Sequence, residues 1–513
     1  MKPLTHISAL SCSLIGLLCP LMSQAQDVQI EQALEEALQA AVVEVADPDK
    51  ANTPEQTEES KTEERDPTSS RIFLMNGDKL KGTPEDLDPE NRILFNAESL
   101  QQAAAFPLEQ VLRLQLGNWK MREYPATLAR IQLWPRYIGP TTSDTITGAL
   151  HELSPEHITL KTWYGGLIPI KRSMVKSLRI INNSPGSYFG PNNIKEWTLS
   201  SGKGSWQFSN GALASRASGG IGRDMKLGEK SHISFDLSWT NSTRFRMLLY
   251  SNDLSSDRPN ACYDITLNGS YCYLQTKGKA KKGVQRFGGG RWPRLTIPSD
   301  SKRVHFDIFA NRKTGTFTVY INGVRGCLLQ STNPDPEDLG TNLSFVAEER
   351  HPIEISGLTI TPWNGTSFPN SNNNFSGKES DEENEDDGEE APEESPHNII
   401  LTNGDEVPGT VGKVEDGRMI VETEYTPIKI PIKRIKSLSL GDEENQPIMK
   451  SGDVRCWFHQ GGFITLQLKQ LKDGKLSGYS QAFGDVTLDL EAFHQIDFHI
   501  YDREANQRRS HLR

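Results

Sequence analysis

The feature that most constrains this chain is internal repetition. Ile168-Pro169-Ile170-Lys171-Arg172 recurs as Ile430-Pro431-Ile432-Lys433-Arg434, and a Lys-Ser-Leu follows each, at Lys176–Leu178 and Lys436–Leu438. Leu74-Met75-Asn76-Gly77-Asp78 recurs as Leu401-Thr402-Asn403-Gly404-Asp405. A Gly stands four residues after the Asp in both (Gly82, Gly409), and Asp144 and Gly148 repeat that spacing. A further copy matches the second without gaps. Ile146, Leu150, Leu153, Ile158, Ile168 and Ile170 correspond to Ile464, Leu468, Leu471, Leu476, Val486 and Leu488, each 318 positions later. Self-similarity on this scale marks a unit that buries its apolar face against its own kind or a neighbour. The copies span about 71–117, 129–181, 397–441 and 452–501.

One copy has readable physics. A short strand ends at Asn-Gly, which accepts the positive φ of a tight hairpin. The next strand crosses a Gly, where a bend or bulge is easy. Two more strands alternate apolar and polar residues, as in Ile158-Thr159-Leu160-Lys161, and a V-x-x-L-x-I piece closes the sheet. The Asn-Gly-Asp signature invites a metal site through Asp78 and Asp405, but turn chemistry explains it: Asn and Gly supply the backbone geometry and Asp bonds the local chain. Four or five strands in so short a stretch predict a small closed barrel without free edges. The units resemble the Sm-like or SH3-like small barrels found in pairs in secreted bacterial proteins.

The middle, about 187–364, alternates differently. Ile233-Ser234-Phe235-Asp236-Leu237-Ser238-Trp239 and Phe317-Thr318-Val319-Tyr320-Ile321 read as strands, the second turning at Asn322-Gly323. Trp197, Trp206-Gln207-Phe208 and Asn210-Gly211-Ala212-Leu213 open the region, and Ile355–Ile360 with Trp363 closes it. Strand recurrence at this spacing predicts a sandwich. The run resembles a laminin G-like, concanavalin A-type jelly roll, whose relatives often bind sugars or proteins and sometimes hydrolyse glycans. The expected fold class is all-β: a central concanavalin A-like sandwich with two flanking pairs of small barrel repeats.

The rest is leader and linker. Lys2, the apolar run Ile7–Met22 and Ser23-Gln24-Ala25 before Gln26 read as a secretory signal, which predicts a periplasmic, cell-surface or secreted protein. Cys19 follows Leu18 and Cys12 precedes most of the apolar run, so lipidation is not expected. No mature membrane span is expected, because no apolar run reaches ~20 residues. Residues 26–70 form an acidic helical or disordered segment, 366–396 an acidic disordered linker, and 502–513 a polar tail. Four cysteines follow the signal: Cys262, Cys272, Cys327 and Cys456. In a hairpin turning at Asn268-Gly269, Cys262 is expected opposite Gln275 and Cys272 opposite Ile265. A disulfide between them needs another register, and buried thiols are the other reading. Structural zinc is not expected, since Cys456 and His459 have no second ligand pair.

Charge and chemistry complete the expectations. The chain carries a net charge of −11, but residues 27–66 and 378–395 each carry −10, so the remainder is basic, at +8 with Lys2 set aside. Glycan-cleaving relatives of the sandwich carry Glu-x-Asp-x-x-Glu, which places two carboxyls on one strand face. The one match, Glu385-x-Asp387-x-x-Glu390, falls in the acidic linker. Sandwich acids such as Asp236 and Asp264 stand singly and read as hydrogen-bonded structural groups. No nucleophile motif, phosphate loop or dinucleotide fingerprint is present. The expectation is therefore a non-enzymatic binding and scaffold protein of the cell envelope or extracellular space, its sandwich recognising a glycan or a protein partner, with a saccharide-acting enzyme built on the sandwich or a purely structural assembly protein as alternatives.

No cofactor is expected. Asn252, Asp253 and Asp257 offer at most a weak calcium set, because calcium takes six to eight oxygens. The candidate binding residues lie between Lys277 and Lys302: Lys277, Lys279, Lys281, Lys282, Arg286, Arg291, Trp292 and Arg294. A sugar ring stacking on Trp292, with Arg291 and Arg294 forking onto a carboxylate or sulfate, suits an acidic glycan. The expected partner is a glycan or an envelope protein, not nucleic acid, and the acidic linker is a third occupant for this basic loop.

Overall fold

The computed structural model describes residues 69–117, 119–120, 123–136, 143–200, 205–280, 293–297, 302–365, 398–403, 405–440, 445–509 and 512. The expected signal, the acidic segments and most of the basic loop lie outside these residues. Secondary structure is predominantly antiparallel β, with a short helix at Arg503–Arg509. No helix among the described residues is long and apolar enough to cross a membrane.

Residues 70–115 form five strands, Ser70–Leu74, Lys79–Leu87, Arg92–Ala97, Ala104–Pro107 and Val111–Gln115. The last lies beside the first, and the second, third and fourth follow in order. The same order holds for five strands over Thr127–Asn182 and five over Asp453–Asp497. In the 398–439 segment it breaks. Asn398–Leu401 and Glu406–Pro408 pair beside Ile435–Ser439, whereas Thr410–Glu415, Arg418–Glu422 and Ile428–Pro431 form their own sheet. Gly409 marks the break. Its φ is +152°, and a Cβ there would lie 2.5 Å from the Glu422 carbonyl oxygen, so only glycine passes. At the first hairpin Asp78 donates its backbone N–H to Asn76 Oδ1 at 3.0 Å, and Asp405 does so to Asn403 Oδ1 at 3.3 Å. Turn chemistry occupies both Asn-Gly-Asp sites.

The segments do not pair as the sequence reading grouped them. Val111–Gln115 runs antiparallel to Phe493–Asp497, with Leu114 opposite Ile496, so the first segment joins the fourth in a ten-stranded sheet. Val175–Asn182 pairs with Ile435–Ser439, with Leu178 opposite Leu438, so the second joins the third in an eight-stranded sheet. The closing strand of each copy has a free edge, and joining edges pairs backbone groups that would otherwise need water. Leu114, Ile496, Leu178 and Leu438 are fully buried in one core shared by all four segments.

Residues 188–362 fold as two antiparallel sheets. One contains Trp206–Ser209, Ala212–Ser215, Ile353–Pro362, Lys230–Trp239, Arg303–Asn311, Thr316–Ile321 and Val324–Gln330; the other contains Thr198–Leu199, Gly219–Asp224, Asn342–Ala347, Arg244–Ser251, Cys262–Asn268 and Tyr271–Lys277. Alternation sends Ile233, Phe235 and Leu237 inward against Phe306, Ile308 and Phe345. The same alternation sends Ser234 and Asp236 outward. The 262–277 hairpin runs two residues out of the expected register: Cys262 faces Lys277 and Cys272 faces Leu267. Asn268 pairs with Tyr271, which leaves Gly269-Ser270 as the two-residue loop. All four cysteines are buried free thiols.

The outward face of the first sheet rests on the second and fourth segments. Gly357 and Gly461, both at positive φ, cross there: a Cβ on Gly357 would sit 2.8 Å from the Gly461 Cα. No larger residue permits that approach, which brings two sets of polar side chains together.

Candidate functional site

Of the eight residues expected to bind ligand, Lys281, Lys282, Arg286, Arg291 and Trp292 lie outside the described residues. Lys277 Nζ lies 3.7 Å from Asp264, a carboxylate also clasped by Arg246. Arg294 donates to Ser270 Oγ at 3.2 Å and bridges Tyr271 on the hairpin edge. Lys279 accepts the Glu337 N–H through its backbone. The loop's described ends are thus tied to the sandwich. In the suggested calcium loop, Asn252 Oδ1 accepts from Ala261 N and Asp253 Oδ1 from Ser255. Among the described residues no group of three His, Cys, Asp or Glu side chains is placed to hold a metal ion.

The structure instead assembles a charged layer between the sandwich and the second and fourth segments. On adjacent strands Asp236 faces His305 and Ser234 faces Asp307. His305 Nδ1 lies 2.7 Å from Asp236 Oδ1, and Nε2 lies 3.0 Å from Ser234 Oγ and 3.6 Å from Asp307 Oδ2. Since a carboxylate only accepts, the nitrogen facing Asp236 carries a proton. Asp236 also accepts from Gly462 N at 2.9 Å and Arg303 at 3.2 Å. Asp307 accepts from Arg179 at 3.0 Å and pairs with His232 at 2.9 Å. Burial alone would raise both carboxyls. For Asp236 the His305 bond and the Arg303 charge outweigh it, and for Asp307 Arg179 and His305 do, so both sit well below the usual carboxylate range.

One imidazole spans both carboxyls, which places them inside the ~10 Å that two-carboxylate glycoside hydrolysis requires. That chemistry also needs one of the pair to donate a proton, and here both are held ionised. The cavity beside them is about 60 Å³, far below the roughly 300–1,000 Å³ of a ligand pocket. This pair is a weld rather than a sugar-cleaving dyad. Residue spacing hid the layer, because its members come singly from positions 130 to 462. The available signal was the outward positions of two strands, which read His-Ser-Asp (232, 234, 236) and Arg-His-Asp (303, 305, 307) where a solvated face carries Lys, Glu or Thr.

A second site is an aromatic cleft where the second and fourth segments meet the sandwich edge. Trp163 and Tyr164 sit in the turn between His157–Thr162 and Gly166–Lys171, with rings edge-on at 5.5 Å. Tyr164 packs on Phe458 at 5.0 Å, Trp119 stands edge-on to Phe208 at 4.9 Å, and Tyr124 stacks on Phe189 at 4.7 Å. Trp163 is 40% exposed. Glu491, paired with Lys120, and Gln460 supply the polar rim. Beneath them His459 Nδ1 donates to the Asn210 carbonyl at 2.9 Å, and burial pushes its pKa down to about 4.

No family model matches the chain, and no curated protein does. Solved structures do. A putative glycosyl hydrolase from Parabacteroides distasonis matches at 13% identity and a TM-score of 0.25, covering 34% of this chain and 98% of that one. The carbohydrate binding module CBM66 from Bacillus subtilis matches at 11% identity and 0.22, covering 32% and 96%. A Bacillus licheniformis β-glucanase matches at 12% and 0.26, covering 35% and 98%. The likeness is one of fold alone, an all-β sandwich. Enzyme names prevail among the matched structures, against the expectation of a chain without enzyme activity.

Proposed function

We propose that this chain is an exported saccharide-acting protein and that the aromatic cleft seats the saccharide. The supporting observation is the half-exposed Trp163 beside Glu491 and Gln460. An indole face offers apolar area to a sugar's C–H face, and the adjacent carboxylate and amide accept from and donate to its hydroxyls. The cleft encloses only about 30 Å³, so the saccharide lies over it as a chain rather than inside it as a buried monomer. The basic loop around Arg291, Trp292 and Arg294 is proposed as a second contact for acidic substituents. The laminin G-like sandwich and the four barrel-like copies are, in this reading, the frame that positions both surfaces.

The test is a panel of neutral and acidic polysaccharides, scored for binding by affinity electrophoresis and for turnover by release of reducing ends. Trp163→Ala is expected to weaken binding at least tenfold. Glu491→Gln is expected to reduce turnover of any substrate found while leaving binding within a few fold. A folded wild-type protein that neither retains nor cleaves any member of the panel overturns the reading.

A further inference from the structure

The cavity in the charged layer has an arithmetic that its own side chains do not close. Three guanidinium groups line it, Arg130, Arg179 and Arg303, against two carboxylates, Asp236 and Asp307. Arg179 pairs with Asp307 at 3.0 Å and Arg303 with Asp236 at 3.2 Å. Arg130 feels the charge of both carboxylates but makes no direct ion pair with either. Its hydrogen-bond contact is Nη2 to His305 Nδ1 at 3.4 Å, and that nitrogen already gives its proton to Asp236. Arginine does not shed its charge in a protein. Charges taken out of water are compensated only where geometry is good and the remaining protons are hydrogen-bonded, and Arg130 lacks that direct partner, which a bound anion would supply.

A second donor points the same way. Asn322, in the turn after Thr316–Ile321, uses Oδ1 to accept the His305 N–H at 2.9 Å, and its buried Nδ2 has no acceptor. The remaining polar wall is neutral: Gln132, Ser143, Thr145 and Ser177. The volume of about 60 Å³ holds a few waters or one small ion and excludes a sugar ring.

We propose that this cavity binds a tetrahedral oxyanion, phosphate or sulfate, with Arg130 as its principal donor. A tetrahedral oxyanion accepts several charge-assisted hydrogen bonds at once, which matches a guanidinium, an amide and hydroxyls converging on a small space. The source is either the free ion or a saccharide sulfate ester whose ring stays outside the cavity. The site shares no residue with the aromatic cleft, so each stands or falls alone.

The experiment is isothermal titration of the folded protein with sodium phosphate, sodium sulfate, sodium chloride and N-acetylglucosamine 6-sulfate at matched ionic strength. The expected result is one-to-one binding of at least one oxyanion, weakened at least tenfold in Arg130→Gln and retained in Trp163→Ala. Binding of phosphate or sulfate identifies the free ion as the ligand, and binding of the sulfated sugar alone identifies the ester. If Arg130→Gln fails to fold, Arg130→Lys, which keeps the charge but loses the fork, is expected to bind more weakly than wild type. The proposal is overturned by absence of binding to wild type, by chloride binding as tightly as the oxyanions, or by affinity unchanged in the folded Arg130 variant.

Discussion

Asp236 Oδ2, on the sandwich, accepts the backbone N–H of Gly462, in the fourth segment, at 2.9 Å. With Arg303 and His305 on the same carboxylate, one side chain fastens the sandwich to the strands that follow it 226 positions later. Asp236→Asn turns a pure acceptor into a group that must point N–H at a donor, and removes the carboxylate charge that Arg303 faces at 3.2 Å. Removing one partner of a buried pair costs about 3–5 kcal/mol, which for a body of this size lowers Tm by roughly 3–5 °C. The exposed pair Lys469–Asp485 offers the contrast, since such pairs contribute about 0–1 kcal/mol. Asp485→Asn is expected to melt with wild type. A melting curve for Asp236→Asn within 2 °C of wild type would show the layer to be redundant.

Local chemistry was legible in the sequence, and the long-range choice of partners was not. Asn76 and Asn403 announce their turns, and Ile233-Ser234-Phe235 announces a strand with one buried face. The crosswise joining of segments is a different matter. Leu114 and Leu178 occupy equivalent closing strands, and nothing in either strand says that its neighbour will be Ile496 or Leu438. That choice is settled by what the whole core buries. The charged layer is illegible for the same reason. Asp236 reads correctly as a hydrogen-bonded group, but its donors arrive from Arg303, His305 and Gly462, and only the packing of the sheet against the fourth segment brings them together.

Acid should loosen this body before carboxylates begin to protonate. Burial holds His232 and His459 down at about 4, and it pushes His494, close to Arg303, well below the ordinary value. Each is neutral in the folded chain and free to take a proton on unfolding. A depressed folded pKa gives stability that is complete above the unfolded value near 6.5 and is lost as pH falls toward the folded one. Each group then costs up to about 1.4 kcal/mol per pH unit. Tm is expected to fall steeply between about pH 6.5 and 4, and His459→Asn to flatten the slope. A Tm constant across that window would contradict the buried neutral assignment.

The thiols give an independent check of the core. Burial raises Cys262 to about 12 and holds Cys456 and Cys272 well above the ordinary thiol value, the last first through its neighbour Cys327. Thiolate, not thiol, attacks a disulfide reagent. A chain beginning at Gln26 is expected to show almost no reaction with Ellman's reagent while folded and four thiols once denatured under reducing-agent-free conditions. Two thiols after denaturation would mean that one disulfide has formed, for which the neighbours Cys272 and Cys327 are the nearest pair, and rapid native reaction would deny the burial.

The crosswise ladders predict how the chain responds to cutting. Residues 398–513 contain the partner strands Ile435–Ser439 and Phe493–Asp497, whose mates, Val175–Asn182 and Val111–Gln115, lie before the sandwich. Asp497 strengthens the second junction: it accepts from Arg113 at 2.7 Å across the ladder and from Trp457 Nε1 at 2.8 Å. Burial opposes ionisation there, yet Arg113 and Arg509 hold that carboxyl down at about 2, a contribution of about 2 kcal/mol. Expressed alone, 398–513 exposes two unpaired strand edges and half of a shared core, so it is expected to be insoluble or to self-associate. Co-expressed with 66–365 it is expected to copurify as a one-to-one complex with the melting profile of the intact chain. Asp497→Asn should weaken that complex, because it leaves Arg113 facing no charge. A monomeric, cooperatively melting 398–513 fragment would mean that the third and fourth segments fold as an independent pair, and that the ladders to the first and second are contacts rather than part of the fold.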